Sequence, residues 1–153
     1  MIDLLLWLLG GQVEEVSAYG TRIATQGTRF RYPDCVAALL KFKKHGVAKV
    51  TSNYGCVFPH YHLLSVYGTK ATFVNHYGRG KIFTSCDVSH KPAPVNSAYQ
   101  PPRKGDLIPS FVRFILGEGK SEVSTEDIFK VMSVCFAIDE SVRRNRAVKV
   151  KYL

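Results

Sequence analysis

Two runs of alternating side chains meet at a glycine turn in the first third of the chain, and little else in it leaves so few folds open. Val36-Ala37-Ala38-Leu39-Leu40-Lys41-Phe42 leads into Lys43-Lys44-His45-Gly46. Val47 to Tyr54 then returns with Ala48, Val50, Ser52 and Tyr54 on one side and Val47, Lys49, Thr51 and Asn53 on the other. A period of two on both runs, with glycine available for positive φ between them, predicts a β-hairpin. Further strands are expected at residues 13–24, with a bulge at Gly20, at 62–67 and 71–75 joined by Gly68-Thr69, and at 81–85. Such consecutive strands, without repeated βα alternation, point to antiparallel pairing.

Helical signals frame the strands. Residues 2–9 are apolar on nearly every side and run into Gly10-Gly11, which predicts a short buried helix stopped by glycine. Prolines 92, 94, 101 and 102 make residues 87–105 a loop. Asp106 then opens a helix to about Leu116, with Leu107, Phe111, Phe114 and Ile115 on one face and Gly117 and Gly119 after it. Ser124-x-x-Asp127 has the form of a capping box. It precedes a stripe of Ile128, Val131, Met132, Cys135 and Val142, with Asp139 and Arg143 placed as an i,i+4 pair. Val148, Val150 and Tyr152 alternate with Lys149 and Lys151 in a closing strand. The expected fold class is α+β: a single domain over residues 1–153, with one mostly antiparallel open sheet of six to seven strands and helices packed on one face. The other face is left to water, a ligand or a partner.

Composition narrows the function classes. The longest apolar run, Leu4 to Leu9, is six residues, against about 20 for a bilayer span. Asp3 stands where a signal peptide would carry basic residues. The net charge is +9, from 21 Lys and Arg against 12 Asp and Glu. The basic residues fall in three separate groups, Lys41 to Lys49, Arg143-Arg144-Arg146 and Lys149-Lys151, without interleaved aromatics. That dispersal argues against a nucleic-acid platform and for a solvated face. Cys35, Cys56, Cys86 and Cys135 are 21, 30 and 49 residues apart, without zinc-type spacing, so a reduced, cytoplasmic protein is expected.

Two clusters carry binding chemistry. Arg103 and Lys104 sit just before the helix expected from Asp106. Two cations at a helix amino terminus suit an anion such as a nucleotide-sugar diphosphate, although Asp106 brings its own negative charge and serves equally as a cap. His60 and His62, two apart in Pro59-His60-Tyr61-His62, share one face of an extended segment, but a metal site lacks a third ligand. No nucleophile–base pair or paired-carboxylate arrangement is readable, so no catalytic residue is assigned and no metal is expected.

The order of motifs resembles a known family. Ile2 to Gly10 opens it, then Val13-Glu14-Glu15-Val16, Val36 to Phe42 with His45-Gly46, and Val66 to Phe73. Glu126 to Val131, Ala137 to Ser141 and Val148-Lys149-Val150 complete it. This looks like the carboxy-terminal domain of the glucose–fructose oxidoreductase and inositol dehydrogenase (Gfo/Idh/MocA) family. The resemblance implies an amino-terminal Rossmann domain for NAD or NADP ahead of a sheet domain whose open face makes subunit contacts and which lines one wall of a sugar site. This chain has no glycine-rich dinucleotide turn and no Glu-Lys-Pro motif, and the family's catalytic histidine would fall immediately before Met1. The resemblance therefore implies a substrate-binding and oligomerisation half of an NAD(P)-dependent sugar or nucleotide-sugar oxidoreductase. Such a half binds no nicotinamide cofactor and transfers no hydride alone. It also implies sugar-hydroxyl contacts from Asn53, Tyr54, His60 and His62, and a positioning role for Asp3, one helical turn beyond the missing histidine. The alternative is a stand-alone homodimeric interaction or small-ligand-binding module derived from such an enzyme.

Overall fold

The computed structural model of the chain describes residues 1–44, 46–75, 79–95, 105 and 107–153. They form two compact units, Met1–Val57 with Leu107–Leu153, and Phe58–Asp106.

In the first unit the sequence order is α1 (Ile2–Leu9), β1 (Val13–Thr21), β2 (Cys35–Phe42) and β3 (Val47–Asn53). The second unit holds β4 (Leu64–Tyr67), β5 (Thr72–Asn75), β6 (Gly80–Phe83) and β7 (Ala93–Val95). The first unit then closes with α2 (Ile108–Ile115), α3 (Thr125–Arg144) and β8 (Val148–Lys149). The fold class is α+β and every ladder among the described residues is antiparallel, as expected from consecutive strands without βα alternation. The single sheet resolves into two sheets of four strands, in the orders β3-β2-β1-β8 and β4-β5-β6-β7. A period of two says which face a side chain takes, but not which edges pair. After Asn53 no strand forms until Leu64, and β3 and β4 each stand at the edge of their own sheet.

The predicted hairpin forms with Leu40 opposite Ala48 and Ala38 opposite Val50, and His45 of its turn lies outside the described residues. Val13, Val16 and Ala18 of β1 and Ala38, Leu40 and Phe42 of β2 turn one face inward onto Val134 and Ala137 of α3, with Ile2 of α1. Fully burying side chains such as Leu40 and Phe42 stabilises the unit by roughly 1.5–3 kcal/mol each. The opposite face carries Tyr19, Leu39, Val47 and Lys49, all exposed. The bulge falls between Val13 and Glu15, not at Gly20. Gly20 is needed for closeness instead: a Cβ there would meet Val142 Cγ1 at 3.0 Å and Pro33 Cβ at 3.1 Å.

The helices correct several expectations. α1 ends as predicted, with Gly10 left-handed at φ 58° and its N–H donating to the Leu6 carbonyl. Only Ile2 of this helix is buried, however, and Trp7 is 78% exposed. A run that is apolar all round cannot reveal which sides find partners. α3 has its capping box: Ser124 Oγ accepts from Asp127 N at 3.1 Å, and Ser124 N donates to the Asp127 carboxylate at 3.3 Å. Its fully buried face is Ser133, Val134, Ala137 and Ser141; of the predicted stripe, Val131, Cys135 and Val142 are partly buried against that core, whereas Ile128 and Met132 are exposed. Small residues on that face let the helix lie close to β1. The ion pair also falls one residue on: Glu140 meets Arg144 at 2.7 Å, and Asp139 does not pair with Arg143.

In the second unit β4 and β5 join through Gly68, whose N–H donates to the Ala71 carbonyl at 3.0 Å. β7 lies inside the segment expected to be all loop. Its Pro94 is tolerated because β7 is an edge strand and one side of it needs no N–H. Residues 96–104 and 106 lie outside the described residues, and with them Asp106 as the helix opener; α2 instead has Leu107 at its N-cap and Pro109 in its first turn.

Candidate functional site

Antiparallel β2 and β3 end together at Cys35 and Asn53, and the long β1–β2 connection is tied to that end. Asp34 is nearly fully buried, and its Oδ2 accepts from Thr25 N at 2.8 Å and Thr25 Oγ1 at 2.9 Å. The Asp34 backbone carbonyl accepts from Tyr54 N at 2.8 Å. One acidic residue thus fixes both the connection and the residue that leaves β3. Asn53 Oδ1 accepts from Gly55 N at 3.0 Å, turning the chain sharply and leaving the Tyr54 ring 84% exposed. The arrangement is a fixed backbone carrying an exposed aromatic face with a hydroxyl, which suits stacking on a sugar ring. The same connection exposes Phe30 and Tyr32, packed edge to face with centroids 5.9 Å apart. Sequence reasoning missed these two, because the segment has no period to mark it.

His60 and His62 are both exposed, in the second unit, with ring centroids 5.1 Å apart at 77°. They engage each other, and no group of three or more His, Cys, Asp or Glu able to hold a metal occurs among the described residues. Nearby in sequence, Tyr61 Oη donates to Asn75 Oδ1 at 2.9 Å. Thr84 Oγ1 lies 3.4 Å from His90 Nε2, but the Asp87 carboxylate accepts from Ser89 N, so no triad geometry results. Arg103 and Lys104 lie outside the described residues.

Asp3 lines a cleft of about 680 Å³ in the first unit, together with Trp7, Lys43, Lys44, Glu122 and Lys130. Some of its charges are engaged: Lys130 with Glu126 at 2.9 Å, and Lys43 with Gln12 at 2.7 Å. The Asp127 carboxyl is held below the usual carboxylate range by the Ser124 hydroxyl and backbone N–H. The side chains of Asp3, Glu122 and Lys44 meet no partner among the described residues. Mixed charge beside an indole can hold a polar ligand, but it contains no nucleophile with an oriented base. The cysteines are likewise unpaired as disulfides, and burial raises the Cys135 thiol above its ordinary value.

A nicotinamide dinucleotide needs a parallel strand–turn–helix unit whose glycines admit the pyrophosphate to a helix amino terminus. Here all described ladders are antiparallel, and Gly10-Gly11 follow α1 instead of preceding a helix. The described residues do not fit that cofactor, and no reaction step through it follows for this chain.

Residues 1–74 match the model of the GFO/IDH/MocA C-terminal domain family, which covers just under half of the chain. The resemblance drawn from the motifs is borne out by this match. Among curated proteins none matches the chain. Among solved structures, levoglucosan dehydrogenase with NADH and levoglucosan aligns at a TM-score of 0.78 and 19% identity, covering 99% of this chain and 48% of that one. Aldose-aldose oxidoreductase from Caulobacter crescentus aligns at 0.74 and 21%, covering 97% and 44%. The WlbA dehydrogenase from Bordetella pertussis, in complex with NADH and UDP-GlcNAcA, aligns at 0.65 and 18%, covering 99% and 43%. At these identities the likeness is one of fold, and the chain spans less than half the length of each. No helix among the described residues is long and apolar enough to cross a membrane.

Proposed function

We propose that this chain is the substrate-binding and oligomerisation half of an NAD(P)-dependent sugar or nucleotide-sugar oxidoreductase, and that its 153 residues act as one domain of it. The observation that carries the reading is the near-complete coverage of this chain by less than half of oxidoreductase chains holding NADH with levoglucosan or with UDP-GlcNAcA. Hydride chemistry then belongs to a nucleotide-binding domain, and this chain contributes binding groups. Tyr54 supplies a stacking face and Asn53 an amide for sugar hydroxyls, and His60 and His62 supply imidazoles. Arg103 and Lys104 are assigned to a diphosphate, and Asp3 to positioning a catalytic group of the other half. The open face of the first sheet, with Tyr19, Leu39 and Val47, is assigned to a second copy. Four unpaired cysteines support a reduced, cytoplasmic setting.

The test is calorimetric titration of this chain with NADH, NADPH, a panel of pyranoses and UDP-sugars, beside the intact mass of the native gene product. Sugar or nucleotide-sugar binding weakened by Tyr54→Ala, no saturable nicotinamide binding, and a native product well above 17.1 kDa are expected. Micromolar binding of NADH by this chain alone would overturn the reading. A native product of 17.1 kDa would favour the stand-alone homodimeric module instead. That second reading is supported by a core with no unpartnered buried side-chain nitrogen or oxygen among the described residues.

A further inference from the structure

The connection between β1 and β2 is a closed loop with its own hydrogen bonds. At its base Asp34 N donates to the Thr21 carbonyl at 2.9 Å, and the Asp34 carboxylate holds Thr25 through two bonds. Thr28 Oγ1 donates to the Thr25 carbonyl at 2.8 Å and accepts from Phe30 N at 3.2 Å. Residues 22–33 carry three arginines, Arg22, Arg29 and Arg31, and no acidic residue. Arg22 lines a hollow of about 300 Å³ with Thr21, Ile23, Gln26 and Gly27. Its Nη2 donates to the carbonyls of Thr25 and Phe30, which fixes the guanidinium and leaves Nε and Nη1 without a partner among the described residues. Arg29 and Arg31 are exposed and form no ion pair or side-chain hydrogen bond among the described residues. A guanidinium already held in place loses little freedom on binding, and its fork matches the oxygens of a phosphate. The same loop carries the Phe30–Tyr32 pair, an exposed apolar face for a ring.

We infer that this loop is an anion site whose ligand is the phosphate group of a phosphorylated sugar. The only carboxylate at the loop is Asp34, buried and spent on Thr25, so the three arginines keep a surplus of positive charge. That surplus favours an anion with more than one charge, which selects a phosphate over a single carboxylate. The phosphate sits in the hollow against the free edge of Arg22, Arg29 and Arg31 strengthen the local field, and Phe30 and Tyr32 cover the ring. The inference rests on the proposed sugar-binding role and narrows its substrate to a phosphate-bearing one. It is separate from the diphosphate assigned to Arg103 and Lys104.

The test titrates this chain calorimetrically with glucose, galactose and mannose and with their 1-phosphates. At least one 1-phosphate is expected to bind about tenfold or more tighter than its parent sugar. Arg29→Gln with Arg31→Gln, at positions already in water, should remove that preference and leave the circular dichroism unchanged. Lys149→Gln with Lys151→Gln removes the same charge at the opposite end of β1 and should leave the preference intact. Equal losses in the two double variants reduce the effect to net charge and overturn the site. A preference that survives in the arginine variant and disappears in Arg103→Gln with Lys104→Gln moves the phosphate to that pair and overturns the site. Sugars bound as tightly as their phosphates, and weakened by Tyr54→Ala, overturn the site and leave the sugar-binding role standing. Binding of none of these ligands at millimolar concentration overturns both.

Discussion

Ser141 is fully buried in α3, and its hydroxyl works twice: it accepts from Ala18 N at 2.9 Å and donates to the Arg146 carbonyl at 2.7 Å. It joins the helix to β1 and holds the turn that follows Asn145, which is left-handed at φ 51°. Ser141→Ala leaves the Ala18 N–H buried without a partner and should cost about 1–3 kcal/mol in urea unfolding. A loss below ~0.5 kcal/mol would show that water replaces the hydroxyl. Tyr152 does similar work at the β1 bulge, where its hydroxyl accepts from Val13 N at 2.7 Å and donates to the Val13 carbonyl at 3.0 Å. Burial raises its phenol above the ordinary value, although the Val13 bond and Lys130 pull it back. The folded chain therefore holds this proton more tightly than the unfolded chain. The contribution is complete below pH 10.0, the ordinary value, and is lost as pH rises through the folded one. Tyr152→Phe should lower stability near neutral pH and flatten that alkaline decline, as read by thermal melts across pH 8–11. Cys135, half-buried with its thiol raised by burial, should react with iodoacetamide after the exposed Cys56 and Cys86 in peptide mass mapping.

At the scale of elements, α3 carries the first unit, since it packs on β1 and contacts both α1 and β8. Its amino terminus depends on the reciprocal Ser124–Asp127 cap, whose two bonds to the Asp127 carboxylate favour its ionised form. Ser124→Ala should destabilise the unit by about 1 kcal/mol, seen as a lower thermal midpoint. Because the Asp127 pKa is lowered, the carboxylate's part of the cap is present above the ordinary carboxylate value and is lost as pH falls through the folded value, whereas the Asp127 N–H bond to Ser124 Oγ does not titrate. Asp127→Asn should therefore weaken the acid dependence of the melt, and an unchanged acid limb would remove the cap as its source. The hairpin, the Gly10 stop and this cap were all readable, because each rests on contacts within a few residues of chain. The face of α3 was readable only in part, since Val131, Cys135 and Val142 do pack against the core while Ile128 and Met132 do not. Periodicity marks an apolar stripe on 128, 131, 132 and 135, but close approach to β1 selects the small side chains at 133, 137 and 141, which hydropathy does not weight.

For the whole molecule, the open face of the first sheet carries the prediction. The proposed sheet-face interface predicts that Leu39→Glu, which places a charge in the middle of that exposed face, gives a monomer in light scattering where the wild-type chain gives a dimer, with the fold retained. A wild-type chain that stays monomeric at high concentration would remove that interface. Local rules were enough to name most strands, the stops and the α+β class, and the motif order agrees with the family model over residues 1–74, because alternation, turn residues and motifs are written along the chain. Partnership between distant segments was not legible: whether the strands close into one sheet or two, that Pro94 ends on an edge, that Asp34 pins Thr25 and Tyr54, and that Asp3 borders a cleft with Lys44 and Glu122. Those depend on which edges and faces meet when long loops close, and that is settled by the packing free energy of the assembled unit and not by any window of residues.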